Sequence, residues 1–468
     1  MVEPEDYIKY LLSNKGYPIT DKKEKLFEAF LKDPANLDAA TTILTNQKIL
    51  TNKYHIQNRL HDVMQQQVMI PNATVNKTYE AKLDFEKLGW TDFSFSELES
   101  LEEYGLQLDT TTYLISGIPS KSGDFKLKFR FRLNIEEEAC ELHEKPISFI
   151  VNPDPKSLWK NLESNKNDPY WKEDNVTAIG QLGDKNIVVA SRRGRSHANV
   201  GSFRDDDFAF KHLEDSGWNV IVMSDGAGSA KMSRKGSEIS CHAVIEYFEK
   251  NLRGDVLKEI DALVTDQHEN NDDSVKKLNL FIYNTLGKAA LYVHKKLEQF
   301  ASANTAELRD LHNTLIFTLF KKYDFGYALL SFGVGDCPIG VLNKEQNEIT
   351  LLNWLDVGEF GGGTRFITMP EIFKNEKFAT RFSFKLMEDF SYLFLMTDGI
   401  YDPKFSVEAN LEKAENWKEF IEDLQGNNAD ACKVEISKNN KDIEKQLASW
   451  MDFWSPGNHD DRTLAIIF

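Results

Sequence analysis

The sequence predicts an α+β protein in successive parts. Three observations predict it: apolar residues at helical spacing near the start, then short alternating runs broken by turn residues, then a long region where strand-like and amphipathic helical runs are mixed. A layered unit with antiparallel sheets is expected of that last region on pattern alone.

Composition narrows the classes. The 468 residues carry 56 Lys+Arg against 74 Asp+Glu, a formal net charge of −18. That excess of carboxylate argues against a nucleic-acid binder, which needs a basic footprint to displace counterions. Hydrophobic residues make up 41% and charged residues 28%, the mix of a globular protein and not of a disordered one. Cys140, Cys241, Cys337 and Cys432 lie far apart with no CxxC pair, so neither a disulfide framework nor a zinc site is expected. The opening MVEPEDYIKYLLSNKG has acids where a signal peptide has Lys or Arg, and no run approaches the ~18 apolar residues of a membrane span. A cytoplasmic setting is the expectation.

Residues 1–68 form the first part. Leu26, Phe27, Phe30 and Leu31, then Ile43, Leu44, Ile49 and Leu50, recur at helical spacing with few glycines, which predicts a small helical segment for packing or docking. Residues 69–152 change to alternating runs such as DFKLKFRFRLNI and KPISFIV. Within them Gly105-Leu106-Gln107-Leu108-Asp109, Leu114 to Pro119 and Ser122-Gly123-Asp124-Phe125 resemble the "GLSLD…ISGTPT…GDY" string of bacterial immunoglobulin-like domains. That resemblance implies a β-sandwich used for contact with a protein partner. Residues 153–176, with three prolines and many Asn, Asp and Lys, read as a linker, and Trp159 and Trp171 predict that it packs onto a neighbour. Residues 177–468 read as one large unit.

Inside that unit, aspartates sit where strands end. Asn219 to Ser224 leads into Asp225-Gly226-Ala227-Gly228-Ser229, and Tyr392 to Thr397 leads into Asp398-Gly399. Asp205-Asp206-Asp207 follows a turn at Gly201, and Asp460-Asp461 precedes the last strand, Thr463 to Phe468. Each pair alone is a common turn. Converging, they suit a hard cation such as Mg²⁺ or Mn²⁺, and the glycine after an aspartate lets a backbone carbonyl approach the ion.

The order of these motifs resembles the metal-dependent Ser/Thr protein phosphatases of type 2C, in their divergent bacterial branch. The matching residues are Gly194-Arg195-Ser196-His197, Gly201 to Phe208, Ser224 to Ala230 with Gly236-Ser237-Glu238, and His312-Asn313-Thr314-Leu315 at a strand start. Phe332 to Cys337 fits the family's "GDS" turn, Gly358-Glu359-Phe360 with Thr364-Arg365-Phe366 its "GEY…T.F" segment, and Thr397 to Asp402 and Asp460 to Thr463 complete the set. The family fold is a four-layer αββα sandwich, and the amphipathic runs Arg234 to Leu252 and Ser274 to Phe300 agree with its helices. The resemblance implies that Asp225 bridges two Mg²⁺ or Mn²⁺ ions, that Asp398 and Asp460 complete one sphere, and that the Gly226 carbonyl with Asp205 and Asp206 supports the other. Asp336 and Asp398 would form a weaker third site. A water activated by two metals would then attack phosphoserine or phosphothreonine in a protein substrate, a cognate Ser/Thr kinase or its targets.

Two departures stand out. The family's DGHGG histidine, the proposed proton donor, is Ala227 here, which leaves His197 or a water as the donor. The arginine that many relatives place four residues before the first acid is Gly201. Arg193 and Arg195 are the preferred replacements, with Arg204 and Arg365 as further contenders. The glycine run from Gly361 to Gly363 reads as a flap edge, since no GK[ST] follows it. The alternative function is a scaffold or pseudophosphatase that keeps a structural metal site. A phosphohydrolase with an aspartyl-phosphate intermediate is disfavoured by the lack of a DxDx[TV] motif.

Overall fold

A computed structural model describes residues 3–271, 273–356, 363–374 and 376–468. The chain divides into two compact units between Leu158 and Trp159.

The first unit opens with helices Pro4–Asn14, Glu24–Leu31 and Pro34–Gln65. The longest starts where Asp33 accepts a hydrogen bond from Ala35 N and Pro34 takes the first helical position, where its missing N–H costs nothing. Its C-terminal half is held by Arg59, whose guanidinium donates to both oxygens of Asp92 at 2.7 and 2.8 Å, and by Lys145 Nζ, which donates to Met64 O at 2.8 Å. A four-stranded sheet pairs Ala73–Thr74, His143–Asn152, Gly123–Leu133 and Phe93–Glu99, and a three-stranded sheet pairs Tyr79–Lys82, Leu114–Gly117 and Leu106–Asp109. Strand His143–Asn152 alternates buried and exposed residues along its length, as the period of two requires of a half-buried strand. The inward residues, including Leu127, Phe129, Phe131 and Phe149, close one core around Trp90.

The second unit has four layers. A five-stranded sheet runs Asp207–Leu213, Trp218–Ser224, Leu315–Tyr323, Gly326–Val334 and Phe382–Met387; a six-stranded sheet runs Ile349–Leu351, Ile339–Asn343, Phe390–Met396, Arg462–Ile467, Lys185–Arg192 and Asn175–Leu182. All pairings in both are antiparallel. Val189, Ile221, Met223, Ile316, Leu395 and Ile467 pack between the sheets. Helices Ser233–Asn251, Gly254–His268 and Ser274–Ala303 cover the five-stranded sheet through Val244, Phe248, Leu286 and Val293. Helices Asp398–Phe405, Ala414–Leu424 and Ile443–Trp450 cover the other through Ile400, Trp417, Phe420 and Leu447. Each such apolar side chain contributes about 1.5–3 kcal/mol on full burial. The αββα architecture is therefore the one expected.

The central strands are buried on both faces, which is why Trp218–Ser224 and Gly326–Val334 read as near-continuous apolar runs, with Asn219, Ser224 and Ser331 as buried polar exceptions. Helix Ala414–Leu424, absent from the sequence reading, presents Trp417, Phe420, Ile421 and Leu424 inward at three- and four-residue spacing. The stretch expected as a linker is folded from Trp159 onward: Trp171 Nε1 donates to Ser164 Oγ at 3.0 Å, and Arg234 NH2 reaches Asp168 at 2.9 Å. The four cysteines are free thiols. No helix among the described residues is long and apolar enough to cross a membrane.

Candidate metal centre

Strand ends of both sheets bring the acids together. Asp225 follows strand Trp218–Ser224, Asp206 precedes Asp207–Leu213, Asp336 follows Gly326–Val334, Asp398 follows Phe390–Met396, and Asp460 precedes Arg462–Ile467. Their mutual repulsion shows in their protonation. Burial, then the charges of Asp398, Asp206, Asp460 and Asp336, hold Asp225 well above the ordinary carboxyl range. Burial followed by Asp460 and Asp336 does the same to Asp398. Asp205 and Asp206 are each pushed up to about 7 by burial and by the charge of Asp461. Asp336 and Asp460 are raised as well, with burial the main cause in both.

Hydroxyl groups fix these carboxylates. Asp206 Oδ2 accepts from Thr397 Oγ1 at 3.0 Å and Thr463 Oγ1 at 2.7 Å, while its main-chain oxygen accepts from Lys172 Nζ and Arg204 NH1, each at 2.6 Å. Thr364 Oγ1 donates to Asp336 Oδ2 at 2.8 Å. Thr314 and Asp225 exchange hydrogen bonds, Asp225 N to Thr314 Oγ1 at 2.9 Å and Thr314 N to Asp225 O at 2.8 Å. Oδ1 of three of these acids, Asp206, Asp336 and Asp398, is buried without a partner among the described residues. Unpaired buried acceptors are costly, and three in one acidic cluster fit a cation whose preferred ligands are oxygens. Ligand atoms of Asp225, Asp336 and Cys337 lie within 4.8 Å of one another, as do those of His197, Asp460 and Asp461. Gly226 bridges to Asn313 at the base of the cluster.

Asp461 plays a different part from its neighbour. Its Oδ1 accepts from Gly194 N and from His197 Nδ1, the latter at 3.0 Å, and its Oδ2 accepts from Asp205 N. Burial acts to raise its pKa, but those donors, led by His197, bring it below the ordinary range. For His197, burial opposes the charge, yet the hydrogen bond and charge of Asp461, with Asp205 and Asp460, hold the imidazole at about 9. The imidazole lies on helix Arg195–Val200, and a Cβ on Gly228 would lie 3.5 Å from its Nε2. That puts a histidine beside the loop in which residue 227 is alanine. Gly399 is required where it stands, because a Cβ there would meet Asp461 O at 1.9 Å.

The arginines separate by their partners. Arg193 is buried and spends its guanidinium on Ser202 O, Asn161 Oδ1, Leu162 O and Asp174. Arg204 is buried on Glu173 O, Ser191 Oγ and Asp206 O. Arg195 pairs with Asp452 and stacks over Trp454. Arg365 is exposed beside Thr364 and has no hydrogen bond or ion pair among the described residues. Gly358-Glu359-Phe360 and Gly361-Gly362 lie outside the described residues. Sequence reasoning missed Thr397, Thr463 and Lys172 as supports of Asp206; the hydroxyls were visible only as TD and RT pairs at strand ends. It also missed Asp402, a carboxyl raised by burial, whose charge acts on both Asp336 and Asp398.

Buried acids thus converge at strand ends of both sheets of an αββα sandwich, an arrangement that suits a metal-dependent hydrolase. The family model described as Protein phosphatase 2C matches residues 193–452, and the chain belongs to that family. It is a protein-serine/threonine phosphatase that uses divalent metal and acts on phosphoproteins. Among solved structures, a bacterial serine phosphatase is similar at 15% identity and a TM-score of 0.35, covering 60% of this chain and 96% of its own. The S. agalactiae serine/threonine phosphatase stands at 15% and 0.34, covering 63% and 98%. The catalytic domain of the phosphatase PstP, in complex with two manganese ions, gives 15% and 0.34 over 63% and 98%. No curated protein sequence matches the chain.

Proposed function

We propose that this chain hydrolyses phosphoserine and phosphothreonine in proteins through two divalent ions, Mg²⁺ or Mn²⁺, held by Asp225 with Asp205, Asp206, the Gly226 carbonyl, Asp398 and Asp460. Asp336 and Asp398 offer a weaker third site. The observation that carries this reading is the set of three partnerless buried oxygens, on Asp206, Asp336 and Asp398, inside a cluster of raised carboxyls. Such a cluster is unfavourable without a cation and favourable with one. The ions would supply an activated water and neutralise phosphoryl charge.

The chain's own residues supply the rest. Thr397 and Thr463 aim Asp206, Thr364 aims Asp336, and Thr314 fixes the backbone of Asp225. His197, held protonated by Asp461, is the proton donor to the departing serine or threonine oxygen, in the place left by Ala227. Arg193 spends both terminal nitrogens on Ser202, Asn161, Leu162 and Asp174, so we assign it to holding residues 161–174, and assign the grip on the reacting phosphate to Arg365. The N-terminal sheets are assigned an immunoglobulin-like role in protein contact, with residues 1–68 as a helical extension, and the setting is cytoplasmic.

Calorimetric titration with Mn²⁺ tests the metal assignment. Two ions per chain are expected for the unaltered protein and fewer for Asp225→Asn. Equal binding by both would contradict it.

A further inference from the structure

Beside helix Arg195–Val200, on a part of the second unit lined by none of the metal-centre carboxylates, lies a cleft of about 220 Å³. Its walls carry Lys160, Arg192, Arg193, Arg195 and Arg462 against Asp174 and Asp452. Five cations face two carboxylates, a local surplus of three positive charges in a chain whose net charge is −18. Arg193 and Asp174 neutralise each other at 3.0 Å. Arg192 and Arg195 share the single carboxylate of Asp452, whose Oδ1 takes Arg192 NH2 at 3.0 Å and Arg195 NH2 as well, while Arg462 donates NH1 to Met451 O and Phe453 O and NH2 to Ser455 Oγ.

The cluster is short of acceptors. Nε of Arg195 and Nε of Arg462 are both buried without a partner among the described residues, and Arg462 is only 4% exposed. The part-exposed guanidinium groups of Arg192 and Arg195, sharing one carboxylate among like charges, fit an oxyanion, for which planar guanidinium groups offer forked hydrogen bonds. The volume falls below the roughly 300–1,000 Å³ of sites for drug-sized ligands and suits a group the size of phosphate.

Position relates the cleft to the metal centre. Gly194 lines it, and the backbone of Gly194 packs so closely on Asp460 that a Cβ would meet the Asp460 carbonyl carbon at 2.3 Å. Asp460 and the cleft are thus separated by one layer of main chain.

We propose that this arginine cleft binds a second phosphate-like oxyanion, separate from the phosphate that reacts. The inference rests on the phosphatase reading only for the identity of the occupant, either a second phosphate on the substrate or free phosphate released by turnover. The oxyanion chemistry is the same in both.

Calorimetry of the full-length chain with inorganic phosphate tests the site. With Mn²⁺ two classes of site are expected, and with EDTA the cleft alone remains. Replacing both Arg192→Gln and Arg195→Gln should weaken the EDTA-resistant site roughly tenfold or more, since each removes a charge-assisted donor. Asp452→Asn should tighten it, because it frees both guanidinium groups from their internal carboxylate; damage to folding would not produce a tighter site. No EDTA-resistant site, or one indifferent to all these changes, overturns the proposal. Kinetics then separate the occupants: a preference in kcat/KM for doubly over singly phosphorylated peptide, lost in the arginine variant, assigns the substrate's second phosphate, whereas equal rates with the calorimetric site intact assign free phosphate. Failure to hydrolyse para-nitrophenyl phosphate would sink the phosphatase reading and leave the calorimetric test of the cleft standing.

Discussion

His197 Nδ1 lies 3.0 Å from Asp461 Oδ1, and the same carboxylate accepts the backbone N–H groups of Gly194 and Asp205. One buried acid therefore ties the histidine, the first acidic loop and the final strand into a single arrangement.

From that pair follows a difference between leaving groups. An alkoxide needs a proton as it departs, whereas para-nitrophenolate leaves without one. His197→Gln should lower kcat on a phosphothreonine peptide by about 10²-fold, the low end of general-acid contributions, while affecting para-nitrophenyl phosphate far less. Steady-state kinetics on the two substrates would check this; equal losses on both would remove His197 from the proton-donor role.

Asp461→Asn is expected to act on stability. It leaves the His197 imidazolium without its buried counter-charge, a loss on the order of 3–5 kcal/mol. Urea denaturation should show a lower midpoint with an unchanged slope.

The threonines that aim Asp206 should matter for metal and not for folding. Removing the groups that orient a ligand typically costs 10–100-fold in affinity or activity, so Thr397→Val or Thr463→Val should weaken Mn²⁺ binding by about that factor. Mn²⁺ affinity unchanged in both would mean that Asp206 does not face the ions.

Metal should reverse the pH dependence of stability. Asp205 and Asp206 have folded pKa values of about 7 against an ordinary 3.8, so in metal-free protein their protonated forms favour the fold. The contribution is complete below the unfolded value of 3.8 and is lost as pH rises through 7. Melting temperature in EDTA should fall over that interval. Saturating Mn²⁺, which prefers the ionised acids, should abolish or invert the fall.

Much of this was legible in the sequence because burial leaves a pattern. Strands Leu315–Tyr323 and Gly326–Val334 carry the mainly apolar stretches Leu315 to Phe320 and Tyr327 to Phe332, and Asp225 and Asp398 follow such stretches and precede a glycine. Adjacent residues on a turn defeat the same reasoning. Asp460 and Asp461 are identical in type, and only their surroundings show that one faces Asp398 while the other is spent on His197 and two backbone amides. Arg193 stands where a phosphate-gripping arginine is expected, but Asn161 and Leu162, some thirty residues upstream, occupy it, and no local pattern reveals them. Helix Gly254–His268 went unread because its buried positions are few, Ile260 and Val264 among mostly polar neighbours.

The central claim is that the converging aspartates hold catalytic metal. Hydrolysis of a phosphothreonine peptide by the full-length chain, measured with Mn²⁺, with EDTA, and with Asp225→Asn, tests it most directly. Activity with Mn²⁺, lost on chelation and reduced by orders of magnitude in the variant, is the predicted result. Turnover that survives both EDTA and Asp225→Asn would contradict it.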